Sequence, residues 1–157
     1  MHKIILSFVI VLCLFITGYI FISIFNQPSE TSSNLIFDTK IILPNKKVIL
    51  AHLADTREEQ IQGLSKISDI TYDQGMLFKF NEPGFYEFWM KDMLFSLDIV
   101  WISSDFEIID ITENAKPESF PETFSSKQPA LYVLEVKAGF VKKNNIKVGD
   151  KLKIIFP

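Results

Sequence analysis

"FYEFWMKDMLFSLDIVWI", residues 85–102, holds both tryptophans of the chain, two of its four methionines and only four charged side chains. In its second half, "FSLDIVWI" (95–102), strand alternation puts Leu97, Ile99 and Trp101 on one face and Asp98, Val100 and Ile102 on the other. Both faces are largely apolar, which is the pattern of an interior strand in a closed or covered sheet. An acid at such a position needs hydrogen-bond donors or a cation. The nearest in sequence are Lys91 and the backbone amides of the bend "KDML" (91–94). Fixing that bend against the sheet is a commoner fate for a buried carboxylate than reactivity.

Outward from this strand, short apolar runs alternate with turn signals, which favours strands over helices. "LIFDTKIILPNKKVILAHLA" (35–54) reads as two strands around Pro44–Lys47, and "GMLFKF" (75–80) as a strand between turns. "FYEFWM" (85–90) reads as the next strand. "FSLDIVWI" and "EIIDIT" (107–112) pair as a hairpin, "ALYVLEV" (130–136) adds a strand, and "VGDKLKIIF" (148–156) closes the chain. One short helix is expected in "DTREEQIQGL" (55–64), where Asp55 or Thr56 caps, Glu58 and Glu59 occupy the first turn and Gly63 ends it. A second is expected in "AGFVKKNNI" (138–146). Residues 117–129, with three prolines and no period, read as a long surface loop, either a binding element or a passive connector. The expected fold is α+β and mainly β: a compact barrel-like or sandwiched sheet with one or two short helices.

A length of 157 residues, 48% hydrophobic and 22% charged, admits one domain with a substantial core. Before it, Ile4 to Phe25 contains no charged residue and is long enough, at about 1.5 Å per residue, to cross a bilayer as one helix. A signal peptide is the competing reading, but the run exceeds a usual apolar h-region and no A-x-A-like cleavage site follows. Bulky Leu12 before Cys13 argues against a lipoprotein. The expected organisation is therefore an anchor over 1–25, a hydrophilic tether over 26–34 and an outer β-rich domain over 35–157. Lys3 lies before the span and the next Lys or Arg is Lys40, so the positive-inside rule places the carboxy-terminal domain outside the cell membrane. Net charge is −3 with no basic stripe, which removes any electrostatic case for nucleic acid. Cys13, the one cysteine, lies in the apolar run, so the outer domain has no disulfide and no thiolate metal site.

Trp89 beside Lys91 and Asp92 has the composition of a pocket wall, a large amphipathic ring next to charged groups, although core packing is the commoner fate of a tryptophan. Trp89, Lys91, Asp92 and Asp98 are the candidate ligand-binding residues. Met76, Met90, Met93 and His52 have the ligand types of a soft copper site, but methionine is several times more often core filler. No metal, cofactor or catalytic residue is assigned.

The motifs "TREEQIQGL" (56–64), "GMLFKF" (75–80), "FWMKDMLFSLDIVWI" (88–102) and "ALYVLEVKAG" (130–139) followed by "VGD" (148–150) resemble, as a set, those of the bacterial and archaeal domain of unknown function 192 family. The resemblance spans roughly Phe37 to Phe156. It implies a compact, mainly β domain, commonly exported or membrane-tethered, with no established activity. It also places Trp89, Met90, Lys91, Asp92 and Asp98 at the centre of the family signature. Asp92-Met93 stands where the family usually has Asn-Thr, Ser96 where Pro is usual, and Ser65-Lys66 in place of Met-x-Arg; if the usual Asn, Thr or Arg bind a ligand in relatives, ligand or affinity is expected to differ here.

Three function classes follow. The first is a membrane-anchored, extracytoplasmic binding module for a small molecule, glycan or envelope protein. The second is an envelope assembly or structural role. The third is a hydrolase or transferase using Asp92, Asp98, Glu113 or Glu135 as acid and base. The third has least support, because the chain has no nucleophile elbow, zinc-protease helix or phosphate loop, and one histidine, His52, outside the anchor.

Overall fold

A computed structural model describes residues 35–157; the anchor expected over 1–25 and the tether over 26–34 lie outside the described residues. Strands β1 (Phe37–Ile42) and β2 (Val48–Ala54) form the first hairpin, with Ile42 opposite Val48. Its turn is closed by the Lys46 amide donating to the Leu43 carbonyl (2.8 Å) and the Lys47 amide to Asn45 Oδ1 (2.9 Å).

Helix α1 (Arg57–Gln62) has no buried residue, so its ends hold it rather than packing. Thr56 and Glu59 make a reciprocal capping box, and Gly63 ends the helix at φ 51°, ψ −141°, a conformation that costs any residue with a Cβ. The Gln60 side-chain amide donates to the Ala54 (3.3 Å) and Lys79 (2.8 Å) carbonyls, tying α1 to two strands. The second of these strands is β3 (Gln74–Gly84), which runs parallel to β2 from Leu50–Gln74 to Ala54–Phe78. A parallel pair requires a crossover connection, and α1 sits within it.

Strand β8 (Ala130–Lys137) lies antiparallel between β3 and β5 (Leu97–Ile102), and β5 forms a hairpin with β6 (Ile108–Ala115). With β9 (Lys153–Ile155) against β1, the order is β6-β5-β8-β3-β2-β1-β9. The sheet, expected to be barrel-like or sandwiched, is an open seven-stranded one. Its edges meet only at a corner, where Glu107 bridges Lys151 and the Leu152 amide donates to the Phe106 carbonyl (3.0 Å). Three-residue β9 is too short to extend that seam into a ladder.

Both sheet faces are covered, and all six residues of β5 are buried, as expected of an interior strand. One core cluster includes Ile41, Leu77, Val100, Leu134 and Phe140; the other includes Met76, Phe78, Ile99, Trp101 and Val133. Helix α2 (Phe140–Asn144) contributes Phe140 and Val141 to the first cluster. Two expectations change. "FYEFWM" contributes only β4 (Phe88–Trp89), and the proline-rich loop contains β7 (Thr123–Phe124), which pairs with β4 in a separate two-stranded ladder. Each is two residues long, too short for a period to register in sequence.

Candidate functional site

Along β8 the alternation that sends Leu134 and Val136 to one core sends Val133 and Glu135 to the other. Glu135 lies opposite Met76 of β3 and Ile99 of β5, so its carboxyl enters an apolar layer. It is 5% exposed, and its Oε2 has no hydrogen-bond partner among the described residues. Burial pushes its pKa from 4.5 up to about 8, and burial is the only cause. At neutral pH the group is therefore a carboxylic acid, with one O–H donor and spare acceptor capacity.

This carboxyl borders a solvent-open cavity of about 220 Å³. Phe78 and Leu64 are buried at its inner end, whereas Trp89, 51% exposed, stands at the rim. Ring geometry stiffens the wall: Phe80 and Tyr86 stack at 3.4 Å with planes 8° apart, and Phe78 meets Phe88 edge-on at 4.8 Å. The Tyr86 hydroxyl donates to the Glu82 carbonyl at 2.6 Å, and burial, then the nearby Glu82 charge, raises its pKa. The opposite wall is the end of α1 and its exit turn, Gln60 to Ser65. A Cβ at Gly63 would lie 3.5 Å from Phe78 Cζ and 4.0 Å from Glu135 Oε2, so the bare backbone here passes close to the buried acid. Glu87 and Glu135 are the acidic residues of the lining; it includes no lysine or arginine.

Of the four residues singled out from sequence, Trp89 lies on this cavity and three lie elsewhere. Lys91 and Asp92 have exposed side chains in the turn after β4, where Asp92 adopts φ 58°. Their carbonyls anchor the turn, accepting from Ser65 Oγ (3.0 Å) and the Lys66 amide (2.9 Å). Met93, at the end of that turn, does line the cavity.

Asp98 is fully buried on the other face of the sheet, and its donors differ from those expected. Oδ1 accepts from the Asn114 amide and Oδ2 from the Val141 amide, both at 2.9 Å. The first sits in a bulge of β6, where the register steps from Leu97–Ala115 to Ile99–Thr112; the second is in α2. Neither Lys91 nor the 91–94 amides are among these partners, because β5 carries Asp98 away from that bend. Met76, Met90 and Met93 are buried members of one core cluster. His52 faces Glu59, with Nε2 to Oε1 at 3.5 Å. Among the described residues no group of three or more His, Cys, Asp or Glu is placed to hold a metal ion.

In the sequence Glu135 is only one of several candidate carboxylates, with Asp92, Asp98 and Glu113. The signal that marks it is parity: an acid at the position of β8 whose neighbours on both adjoining strands are apolar.

The model of the DUF192 family, described as "Uncharacterized ACR", matches residues 40–154. Two crystal structures are similar to the chain. One is of a Sinorhizobium meliloti 1021 protein named as a candidate transcription regulator: 34% identity, TM-score 0.68, covering 74% of this chain and 92% of that one. The other is of a protein of unknown function from Novosphingobium aromaticivorans DSM 12444: 29% identity, TM-score 0.71, covering 80% of this chain and 91% of that one. No curated protein matches.

Proposed function

The chain belongs to the DUF192 family, an uncharacterised one, and on that footing we propose that it is a membrane-tethered, extracytoplasmic binding module whose ligand enters the cavity beside Trp89. The observation that carries this reading is the cavity itself. It is open to solvent, walled by rings, and bordered by a carboxyl that no group of the domain satisfies. Few convergent polar groups in an apolar concavity are the usual composition of a small-molecule site. The 22 uncharged residues from Ile4 to Phe25 support the tether, and the position of Lys3 supports the outward orientation. A net charge of −3 without a basic stripe argues against a nucleic-acid role, which relies on clustered Lys and Arg to neutralise phosphates.

A ligand-observed NMR screen of small molecules and short glycans against the full-length chain in detergent tests the reading. Saturable hits that Trp89→Ala weakens are expected. Hits that bind Trp89→Ala as well as the parent chain would remove this site. Proteolysis of the outer domain in intact spheroplasts is the expected topological result, and its protection until lysis would overturn the orientation.

An assembly role is the second reading. It rests on Phe85 and Leu94, which are 64% and 62% exposed, large apolar side chains suited to protein contact.

A further inference from the structure

The charges and rings around Glu135 select the chemistry of a ligand. An anion would meet Glu87 and Glu135 with no lysine or arginine in the lining. A neutral molecule would gain no Coulomb term from either acid. A cation gains from the Glu87 charge, from Glu135 once its proton has left, and from the aromatic rings of Phe78, Phe80, Tyr86, Phe88 and Trp89, all of which border the same space. Oε2 of Glu135 has no partner in the domain and takes one from an N–H donor carried by the ligand.

Building on the binding-module reading, we propose that the cavity takes a small alkylammonium ion, whose charged head pairs with Glu135 and whose alkyl part lies among the rings. A volume of about 220 Å³ corresponds to about seven water-sized groups at about 30 Å³ each. That suits an amine of a few carbons.

Pairing carries a proton balance. The carboxyl is protonated at neutral pH, so on binding the O–H bond breaks, the proton leaves to buffer, and a carboxylate–ammonium pair remains. β3 presents Met76 and Phe78 to the layer around Glu135, and β5 presents Ile99 and Trp101. On β8, Lys137, two residues on, is held by both oxygens of Asp69 at 2.8 and 2.6 Å. On α1, Glu59 is engaged by Thr56, and Arg57 and Glu58 are exposed. Tyr86 and Glu87 are the other titratable groups of the lining.

Isothermal titration of the full-length chain in non-ionic detergent, with n-butylammonium, 1-butanol and butyrate in phosphate and in Tris at pH 7, tests the proposal. Butylammonium is expected to bind at least about tenfold more tightly than 1-butanol, with no butyrate binding. About one proton per site should be released, read as a buffer-dependent enthalpy, and affinity should rise about tenfold per pH unit below pH 8. Glu135→Gln should abolish the proton release and the pH dependence while melting no lower than the parent chain at pH 7. Trp89→Ala should weaken binding but keep the released proton. Equal affinity for butylammonium and 1-butanol, or binding without proton release, would overturn the proposal. If the three probes fail while library hits still compete at Trp89, the ammonium assignment falls and the binding module stands; if nothing binds there, both fall.

Discussion

Replacing Glu135 by Gln keeps the shape of the protonated side chain and removes its ability to ionise, which isolates the energetic consequence of burying that acid. Between pH 4.5 and about 8 the folded chain holds this proton while the unfolded chain has released it. Stability from this group is therefore fully present below about pH 4.5, declines as pH rises, and is gone once pH has passed about 8. At about 1.4 kcal/mol per pH unit, that interval amounts to about 5 kcal/mol. The total stability of an ordinary domain is only about 5–15 kcal/mol, so the effect is large. In a domain of this size it corresponds to a melting difference on the order of 10–20 °C. Thermal melts of both full-length chains by circular dichroism, from pH 5 to 9 in the same detergent, read it directly. The parent chain should lose stability steadily toward alkaline pH relative to Glu135→Gln, and the two should converge near pH 5. Taking the difference between them cancels Glu59 and Asp69. Their carboxyls are held below the ordinary range by the Thr56 hydroxyl and by Lys137 respectively, and they withdraw stability from both chains as pH falls. A constant gap across pH 5–9 would refute the burial argument and with it the neutral carboxyl in the cavity.

Other outcomes follow from single contacts. Asp98→Asn should cost about 3 kcal/mol in chemical denaturation, because one of the two amides now held by the carboxylate loses its acceptor, and it should leave cavity binding in the folded protein unchanged. Gly75→Ala should also cost about 3 kcal/mol, since its Cβ would lie 2.7 Å from the Glu135 backbone oxygen across the β3–β8 ladder; unchanged urea midpoints would contradict that close approach. Thr56→Ala should lose about 1 kcal/mol through the capping box, read in the same melts. Among ligand-binding variants, Trp89→Ala should reduce affinity roughly fivefold, whereas Lys91→Ala, which is exposed and not part of the lining, should stay within about twofold.

What sequence alone determined is the set of features governed by near neighbours along the chain. The Thr56–Glu59 box and the Gly63 stop are legible because a helix end is satisfied within one turn. The β1–β2 and β5–β6 hairpins are legible because their turns and periods are contiguous. The burial of β5 on both faces is legible because a period of two with apolar residues at both parities leaves no face for water. Trp89 is legible as an amphipathic ring at a strand end.

Only tertiary structure decided the rest. Asp98 is satisfied by amides 16 and 43 residues away, and no local rule selects those over the adjacent 91–94 bend. The parallel β2–β3 pairing, the β4–β7 ladder and the open edges of the sheet depend on which strands meet, which period and propensity leave undetermined. Glu135 is the sharpest case. Its identity and parity are plain in "ALYVLEV", but its character comes from Met76, Ile99 and the α1 exit turn closing around it without offering a donor. A pKa is set by solvent and charge in three dimensions, and burial there is assembled from segments that sequence distance keeps apart.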